Sequence, residues 1–419
     1  PNPLSSALNQ SRPALWIRLN HDYIFSPSTL NHFTAALTRE PQIWQKLSAD
    51  QDWPTKLGLS GVNTGYGNAF PLITFSNGFA TLADQTKTDG QQVNNSIEFT
   101  DTVNHTRGNN SFKFGADARW LRTNGADYAG TQGTFGFNSN ETALASNAGN
   151  SGNAFASLLL GLPDTATNKT LLVVPGDRYR YLAVFTQDDW RVSKKLTFNL
   201  GLRYEIYWPK REAHDNISAF DPTLANPGAG GRMGAVAFLG NGTGRNGMSS
   251  FADTALGNFG PRAGFAYAIN DKTVIRGGYG LYYALGNANA GLRASQNFSY
   301  GFNPSQSLAS LDAGATPALY WDTGFPPGIT SSTISPTVAN GSAVNTVLRS
   351  DGRAPYSHNW SFGFQREVPG SILVEANYVG VKGTHLGNNL IDLNQLDPSY
   401  LRYGCLLTQS ITSAAATAA

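Results

Sequence analysis

Residues 196–205 read LTFNLGLRYE, and apolar and polar side chains alternate through this stretch without a break. One parity carries Leu196, Phe198, Leu200, Leu202 and Tyr204. The other parity carries Thr197, Asn199, Gly201, Arg203 and Glu205. Because successive side chains of a β-strand point to opposite faces of its sheet, the stretch predicts a strand with one apolar and one polar face. Residues 111–121 and 261–269 show the same alternation.

Segments of this kind come in five pairs, and a very short connector joins the two members of each pair. The predicted pairs are 14–25 with 30–39, 96–106 with 111–121, 181–192 with 196–208, 261–269 with 272–283, and 358–367 with 371–381. Every connector contains Gly, Pro, Asn, Asp or Ser, which accept the geometry of tight turns. The connectors are 26–29, 107–110, 193–195, 270–271 and 368–370. The pattern predicts about ten antiparallel strands arranged as hairpins.

The connections between the pairs are long and rich in Gly, Asn, Ser and Thr. Strict alternation of short and long connections is typical of outer-membrane barrels, whose periplasmic turns are short and whose extracellular loops are long. The regions around 50, 140, 230 and 320 are therefore expected outside the cell, as structureless loops. The sequence predicts an all-β fold, an incomplete antiparallel transmembrane β-barrel over residues 1–404, located in the outer membrane. Residues 405–419 are expected to be a truncated or disordered tail.

Composition agrees with this class of protein. Only 14% of the residues are charged, against roughly a quarter in soluble proteins. There are 45 glycines and 11% aromatic residues, and no apolar run approaches the ~18 residues of a transmembrane helix. A net charge of +2 gives no reason to expect a nucleic-acid partner, and the single Cys405 excludes a disulfide framework. The chain starts without a signal peptide and ends in an alanine-rich run, so we expect a fragment.

Two groups of side chains are assigned to faces from this pattern. Trp and Tyr residues near strand ends are expected on the apolar faces, as an interfacial girdle: Trp120, Trp190, Tyr207, Trp208, Tyr282 and Tyr283. Charged residues that share parity with small or polar residues are expected to face the lumen: Arg119, Arg203, Glu205, Arg262 and Arg276. A sheet packed on a soluble core would alternate in the same way. Asp101 and Asp188 break the pattern, and either a bulge or the headgroup region could accommodate them.

The sequence around them does not support the motifs that suggest enzymatic, cofactor-binding or metal-binding chemistry. Residues 242–247, GTGRNG, fit the dinucleotide pattern G-x-G-x-x-G, but no convincing helix follows, so we interpret them as loop. The six histidines lack metal-ligand spacing, and no nucleophile motif is present. We therefore predict no catalytic, cofactor-binding or metal-binding residues and no enzyme activity. The apolar residues 155–162 are too few to span a membrane and predict a short helix or a loop anchor.

Several blocks, in the same order along the chain, resemble the barrel of Oar-like TonB-dependent outer-membrane receptors. The blocks are 111–117, 153–161, 185–205, 261–264, 274–280 and 375–386. The resemblance implies a 22-stranded barrel, an N-terminal plug and a segment that binds TonB. It implies as partners the lipid bilayer, TonB through a missing N-terminal region, and an unknown extracellular ligand.

Two functions remain open at this point. The first is energy-coupled import, in which ligand binds the loops and lumen and a plug moves when TonB pulls. The second is a non-transporting surface protein whose barrel displays loops for adhesion or assembly. An outer-membrane enzyme is disfavoured because no catalytic constellation is visible. A plug domain upstream of this segment would favour import.

Overall fold

The computed structural model describes residues 4, 8–62, 68–76, 78–83, 90–284, 298–312, 314–386 and 397–408. Its contacts divide the chain into two units, Pro1–His385 and Leu386–Ala419. The described part of the second unit is a run of 3-10 turns over Pro398–Thr408. The first unit contains every strand that the structure describes. A domain boundary at residue 404 stays a prediction.

The strands are numbered here in chain order. They are β1 (Leu8–Ser11), β2 (Leu15–Ser26), β3 (Thr29–Lys46), β4 (Leu72–Phe75), β5 (Gly90–Arg107), β6 (Asn110–Asp127), β7 (Thr134–Phe137), β8 (Thr165–Lys169), β9 (Gly176–Arg191), β10 (Leu196–Glu212), β11 (Ser218–Asn226), β12 (Arg232–Phe238), β13 (Asn258–Asn270), β14 (Thr273–Tyr283), β15 (Ser305–Ala309), β16 (Tyr356–Val368) and β17 (Ile372–Thr384). Two short helices, α1 (Trp53–Lys56) and α2 (Ala154–Leu159), lie between them. In the described part of the chain, no helix is both long enough and apolar enough to cross a membrane.

Eleven strands form one sheet, called the wall below. Its order is β1/β2, β3, β5, β6, β9, β10, β13, β14, β16 and β17, with β1 and β2 both pairing with β3. All the pairings are antiparallel, and the five predicted hairpins are confirmed. The strands are longer than predicted, since β3, β5 and β6 each reach 18 residues. A tilted strand needs only about 9–11 residues to cross a bilayer, so these strands extend past the hydrocarbon layer.

One face of the wall exposes apolar side chains from nearly every strand. Directly opposed residues of neighbouring strands lie on the same face of a sheet, so the register identifies these side chains as one surface, called the apolar face. Its exposed members include Leu37, Phe99, Phe114, Val184, Leu200, Leu202, Phe259, Tyr267, Phe362 and Tyr378. A continuous apolar surface of this extent is typical of a side that contacts lipid.

The two aspartates that break the alternation lie on this apolar face. The register runs through Asp101 and Asp188 without a shift, which excludes a bulge at either position. Each carboxylate instead accepts a hydrogen bond from an asparagine of a neighbouring strand. Asn31 donates to Asp101, and Asn110 Nδ2 donates to Asp188 Oδ2 over 2.6 Å. Both pairs lie near the short turns, where a strand leaves the hydrocarbon layer.

Several strand glycines make room for an aromatic ring of the adjacent strand. Gly115 lies opposite Phe185, and a methyl group at Gly115 would lie 2.4 Å from that ring. Gly277 stands in the same relation to Phe265, on the apolar face. The Gly277 backbone is therefore approached closely by a neighbouring side chain. Gly90 and Gly380 make room in the same way for the indole rings of Trp44 and Trp360.

Replacing Gly115 by alanine is expected to destabilise the wall by about 1–3 kcal/mol, the usual cost of overpacking. The added methyl group would meet the Phe185 ring and would also lie 2.7 Å from the backbone carbonyl oxygen of Asp101, which cannot rotate away. Gly264→Ala is the matched control on the same face, because its nearest neighbour would be 3.5 Å away. Denaturant unfolding in detergent micelles measures the difference. Equal midpoints for the two variants would contradict this packing.

The long connections fold into structures of their own, so the expectation of structureless loops is wrong. Three of them contribute to a four-stranded sheet of order β15-β8-β7-β4, and a fourth forms the β11–β12 hairpin. Most of the buried apolar side chains of the described chain belong to these connections, including Phe135, Phe137, Phe238, Leu239 and Phe302. Each cluster pools residues from connections far apart in sequence, such as Phe70, Phe135 and Phe325. A local pattern cannot reveal such pairings.

Residues 155–159 of the apolar segment lie in the short helix α2, the first of the two structures predicted for it. Asn153 caps it, accepting hydrogen bonds from the backbone N–H groups of Phe155 and Ala156. Leu158 packs against the core of the four-stranded sheet. The helix is thus part of the folded connections.

Candidate functional site

All five charged residues predicted to face a lumen lie on the side of the wall opposite the apolar face. Arg119 of β6 and Tyr207 of β10 both lie directly opposite Tyr181 of β9, so these residues share one face. Glu205 and Arg203 precede Tyr207 by two and four residues on β10 and therefore lie on that face too. Arg262 pairs with Gly201 of that same side, and Arg276 pairs with Ala266, four residues after Arg262. We call this side the polar face. The structure places the five residues together on it, and their orientation toward a lumen stays a prediction.

Three of the five belong to one hydrogen-bonded group, called the charged network. Its carboxylates are Glu98, Asp117 and Glu205, its cations are Arg119 and Arg203, and its phenols are Tyr181 and Tyr207. Arg119 donates two hydrogen bonds, of 2.9 and 2.8 Å, to the Asp117 carboxylate, and its Nη2 lies 3.1 Å from Glu98 Oε1. Arg203 Nη2 lies 3.3 Å from Asp117 Oδ2, and its Nε donates to Glu205.

The network satisfies carboxylates that have little access to solvent. The side chains of Asp117 and Glu205 are only 8% and 9% exposed. Glu205 Oε1 accepts from the Tyr181 hydroxyl over 3.0 Å, and Glu205 Oε2 accepts from the Tyr207 hydroxyl over 2.8 Å. Buried charges are costly unless they are paired and hydrogen-bonded, so these partners are what allow charges on this part of the wall.

Two of the tyrosines predicted for an aromatic girdle on the apolar face lie on the polar face instead. Tyr207 stacks on Tyr181 with ring centroids 4.9 Å apart and donates to Glu205, on the polar face. Tyr282 lies under the Arg262 guanidinium, 4.5 Å from ring centroid to Cζ. Both share the parity of the charged residues beside them. The prediction was based on the nearness of these residues to strand ends. Their parity along the strand, which decides the face on which a side chain lies, places them with the charged residues.

Sequence analysis missed Glu98, Asp117, Tyr181 and Tyr207 as partners. A signal was present, because Asp117 and Arg119, like Arg203 and Glu205, have opposite charge at positions i and i+2. Such pairs lie on one face of a strand. Tyr181 could not be found in this way, since its contacts come from strands on either side of β9.

Arg262 lies outside the network, and so does Arg276. Arg262 borders a cleft of about 210 Å³ that is also lined by Lys113, Phe185, Gln187, Gly201 and Arg203. Arg276 is exposed and forms no ion pair with any residue that the structure describes. Of the five predicted residues, three therefore belong to the charged network and two lie outside it.

The GTGRNG segment is a tight loop after β12, as interpreted from the sequence. Gly240 N–H donates to the carbonyl of Met248, and Arg245 donates from Nη1 to the carbonyl of Asp215. Gly242, Gly244 and Gly247 all have positive φ values. No helix follows in residues 248–257, which the structure describes, so the segment lacks the helix N-terminus of a dinucleotide site.

Replacing Arg203 by methionine is expected to lower the free energy of unfolding by about 2 kcal/mol. The change leaves Glu205 and Asp117 each short of one cation, and the loss is smaller than the 3–5 kcal/mol of a fully buried pair because Arg203 is 20% exposed. Arg276→Met removes the same charge from the same face without breaking a bond, and should cost under about 0.5 kcal/mol. Denaturant titration in detergent micelles compares the two. A larger effect at position 276 would contradict the assigned role of the network.

An antiparallel wall with an exposed apolar face, a charged polar face, and short turns alternating with long connections defines an outer-membrane β-barrel. The chain belongs to the family described as outer membrane beta barrel domain, whose model matches residues 3–419. Its location is the outer membrane.

Solved structures with a similar arrangement are outer-membrane proteins. They include the outer membrane transporter YddB from Escherichia coli, at 12% identity and a TM-score of 0.44, covering 89% of this chain and 34% of that one. The ferric yersiniabactin uptake receptor FyuA from Yersinia pestis has 9% identity, a TM-score of 0.37, and coverage of 89% and 36%. The copper transporter OprC has 10% identity, a TM-score of 0.38, and coverage of 91% and 40%. The chain thus spans between a third and two fifths of these proteins. No curated protein matches it.

Proposed function

We propose that this chain is the barrel portion of a TonB-dependent receptor that imports an unidentified extracellular ligand. The observation that carries the proposal is the charged network on the face opposite the apolar side chains. Arginine facing lipid near the bilayer midplane costs roughly 2–4 kcal/mol, which supports the proposal that Arg119, Arg203, Arg262 and Arg276 face a polar lumen. The resemblance of residues 111–117 and 185–205 to Oar-like receptors supports the TonB coupling.

The proposal includes a topology. The five short turns face the periplasm, and the folded connections around residues 50, 140, 230 and 320 face the outside, where they contact the ligand. TonB acts from the periplasmic side through a plug supplied by the rest of a longer protein, because barrels of receptor width need plugging. The chain itself has no enzymatic role in this scheme.

A non-transporting surface protein is the second candidate. The observation that favours it is the folding of the long connections around their own apolar clusters, which gives a rigid platform for display. Import requires TonB contact, and display does not.

A TonB-binding assay on the complete gene product separates the two functions without knowledge of the ligand. The probe is the periplasmic domain of the host TonB, immobilised on resin. We expect the complete protein to be retained, and a variant lacking all residues upstream of this segment to pass through. Equal passage of both proteins would contradict energy-coupled import and favour display.

A further inference from the structure

A row of four residues crosses four neighbouring strands on the polar face. Lys113 of β6 is directly opposite Gln187 of β9, Gln187 is opposite Gly201 of β10, and Gly201 is opposite Arg262 of β13. Neighbouring strands lie about 4.8 Å apart, so the backbones of the two cations are separated by about three such spacings. Both cations line the same cleft of about 210 Å³, which we call the basic cleft.

Gly201 leaves the centre of the basic cleft open. A methyl group at Gly201 would approach no atom closer than 3.5 Å, and its neighbours would be the Thr186 carbonyl oxygen and the Cβ atoms of Arg262 and Gln187. The space above this backbone is therefore free for another molecule. Arg203 and the ring of Phe185 border it further along the strands, with the guanidinium Cζ 5.6 Å from the ring centroid.

The basic cleft has an excess of positive charge. Its lining holds Lys113, Arg203 and Arg262 and no carboxylate. Arg203 is compensated by the charged network, but neither Lys113 nor Arg262 forms an ion pair with a described residue.

The carboxylate in the adjacent row, Asp189, forms no ion pair with either cation in the part of the chain that the structure describes. Asp189 accepts from Gln187 Nε2 over 3.2 Å and from Asn199 Nδ2 over 2.6 Å, so it is held by neutral amides. The Cζ atom of Arg262 lies over the Tyr282 ring, 4.5 Å from its centroid. Stacking of that kind leaves the N–H groups at the edge of the plane available as donors.

We propose that the basic cleft binds a small oxyanion, either free phosphate or the carboxylate or phosphate group of a larger ligand. The Arg262 guanidinium offers a planar pair of donors that matches such a group, and the Lys113 ammonium adds charge from the opposite side. Whole-ligand pockets usually measure about 300–1,000 Å³, so the basic cleft accommodates one anionic group. The inference rests on the proposed function, because import is the route by which an anion reaches the cleft. It implies that the imported ligand carries an anionic group.

The test is a titration of inorganic phosphate into the full 419-residue chain in neutral detergent micelles, at constant ionic strength. Broadening of the ³¹P resonance reports binding. We expect saturable binding that weakens about tenfold in Lys113→Gln and in Arg262→Gln, since each removes charged hydrogen-bond donors. Lys272→Gln removes a charge from an exposed turn and should change binding less than twofold. Far-ultraviolet circular dichroism of each variant confirms that the sheet is retained.

Gly201→Leu is a second, independent variant, because it fills the cleft and removes no charge. We expect it to abolish saturable broadening. The proposal is overturned by equal losses in Lys272→Gln and Arg262→Gln, or by unchanged binding in Gly201→Leu. It is also overturned if the complete gene product binds no phosphate, since the cleft would then not be open to an anion in the natural protein. None of these measurements involves TonB, so failure here is distinguishable from failure of the import proposal.

Discussion

Expressed alone and without detergent, residues 1–419 are expected to aggregate, and in detergent they are expected to fold. The wall has two edges, β17 on one side and β1 with β2 on the other, and no pairing joins them among the described residues. Unpaired edges are templates for aggregation in water. In lipid, each unsatisfied backbone group costs several kcal/mol. The apolar face adds a second cause, with Tyr378 65% exposed on β17.

A sizing column measures this prediction. The 44.9-kDa chain should elute in the void volume, or be absent from the supernatant, in plain buffer. In detergent micelles it should elute as a defined species with a β-sheet spectrum. A soluble, monodisperse, folded monomer in plain buffer would mean that the apolar face is a buried core, and the membrane assignment would then be wrong.

Placing an arginine at Phe362 of the complete gene product is expected to remove about 2–4 kcal/mol of stability in lipid vesicles, the cost of that residue on a lipid face at the bilayer midplane. Phe362 lies at the centre of β16, 52% exposed on the apolar face, opposite Gly277 and Tyr378. No acidic residue is directly opposite to pair with the new charge. Because domains are typically stable by only 5–15 kcal/mol, the loss is a large fraction of the total.

Ser361→Arg is the matched control for this substitution. Ser361 is the adjacent residue of β16 and is exposed on the polar face, opposite Gly278. The same charge there should meet water and change the free energy of unfolding by under about 0.5 kcal/mol. Guanidinium unfolding in vesicles compares the variants. If Ser361→Arg proves as costly as Phe362→Arg, the two faces have been assigned incorrectly.

The turns and the faces of the wall were predictable because they depend on local chemistry. Gly108 and Gly370 have positive φ values at their hairpin turns, which the sequence marked by residue type. Residues 196–205 defined two faces by parity alone, and the register of β10 with β9 and β13 extends those faces across the sheet.

The ends of the strands and the folded connections were not predictable from local pattern. β5 begins at Gly90, six residues before the predicted start, because Gly90 pairs with Trp44 and its missing side chain admits the indole ring. Four of the five residues after Gly90 are Gln or Asn, and such a run resembles a loop when read alone. Phe135 gave no signal for the same reason, since its partners Trp321 and Phe325 come from another connection.

The most direct test of a lipid-facing apolar face and a water-facing polar face is a spin-label scan of residues 198–202. Single cysteines are introduced in a cysteine-free background of the complete gene product, which is reconstituted in phosphatidylcholine vesicles, and each nitroxide is relaxed by oxygen or by a water-soluble nickel complex. We predict that oxygen relaxes labels at Phe198, Leu200 and Leu202, and that the nickel complex relaxes labels at Asn199 and Gly201. Equal nickel access at all five positions would contradict the membrane-spanning wall. So would nickel access at Phe198, Leu200 and Leu202 with oxygen access at Asn199 and Gly201.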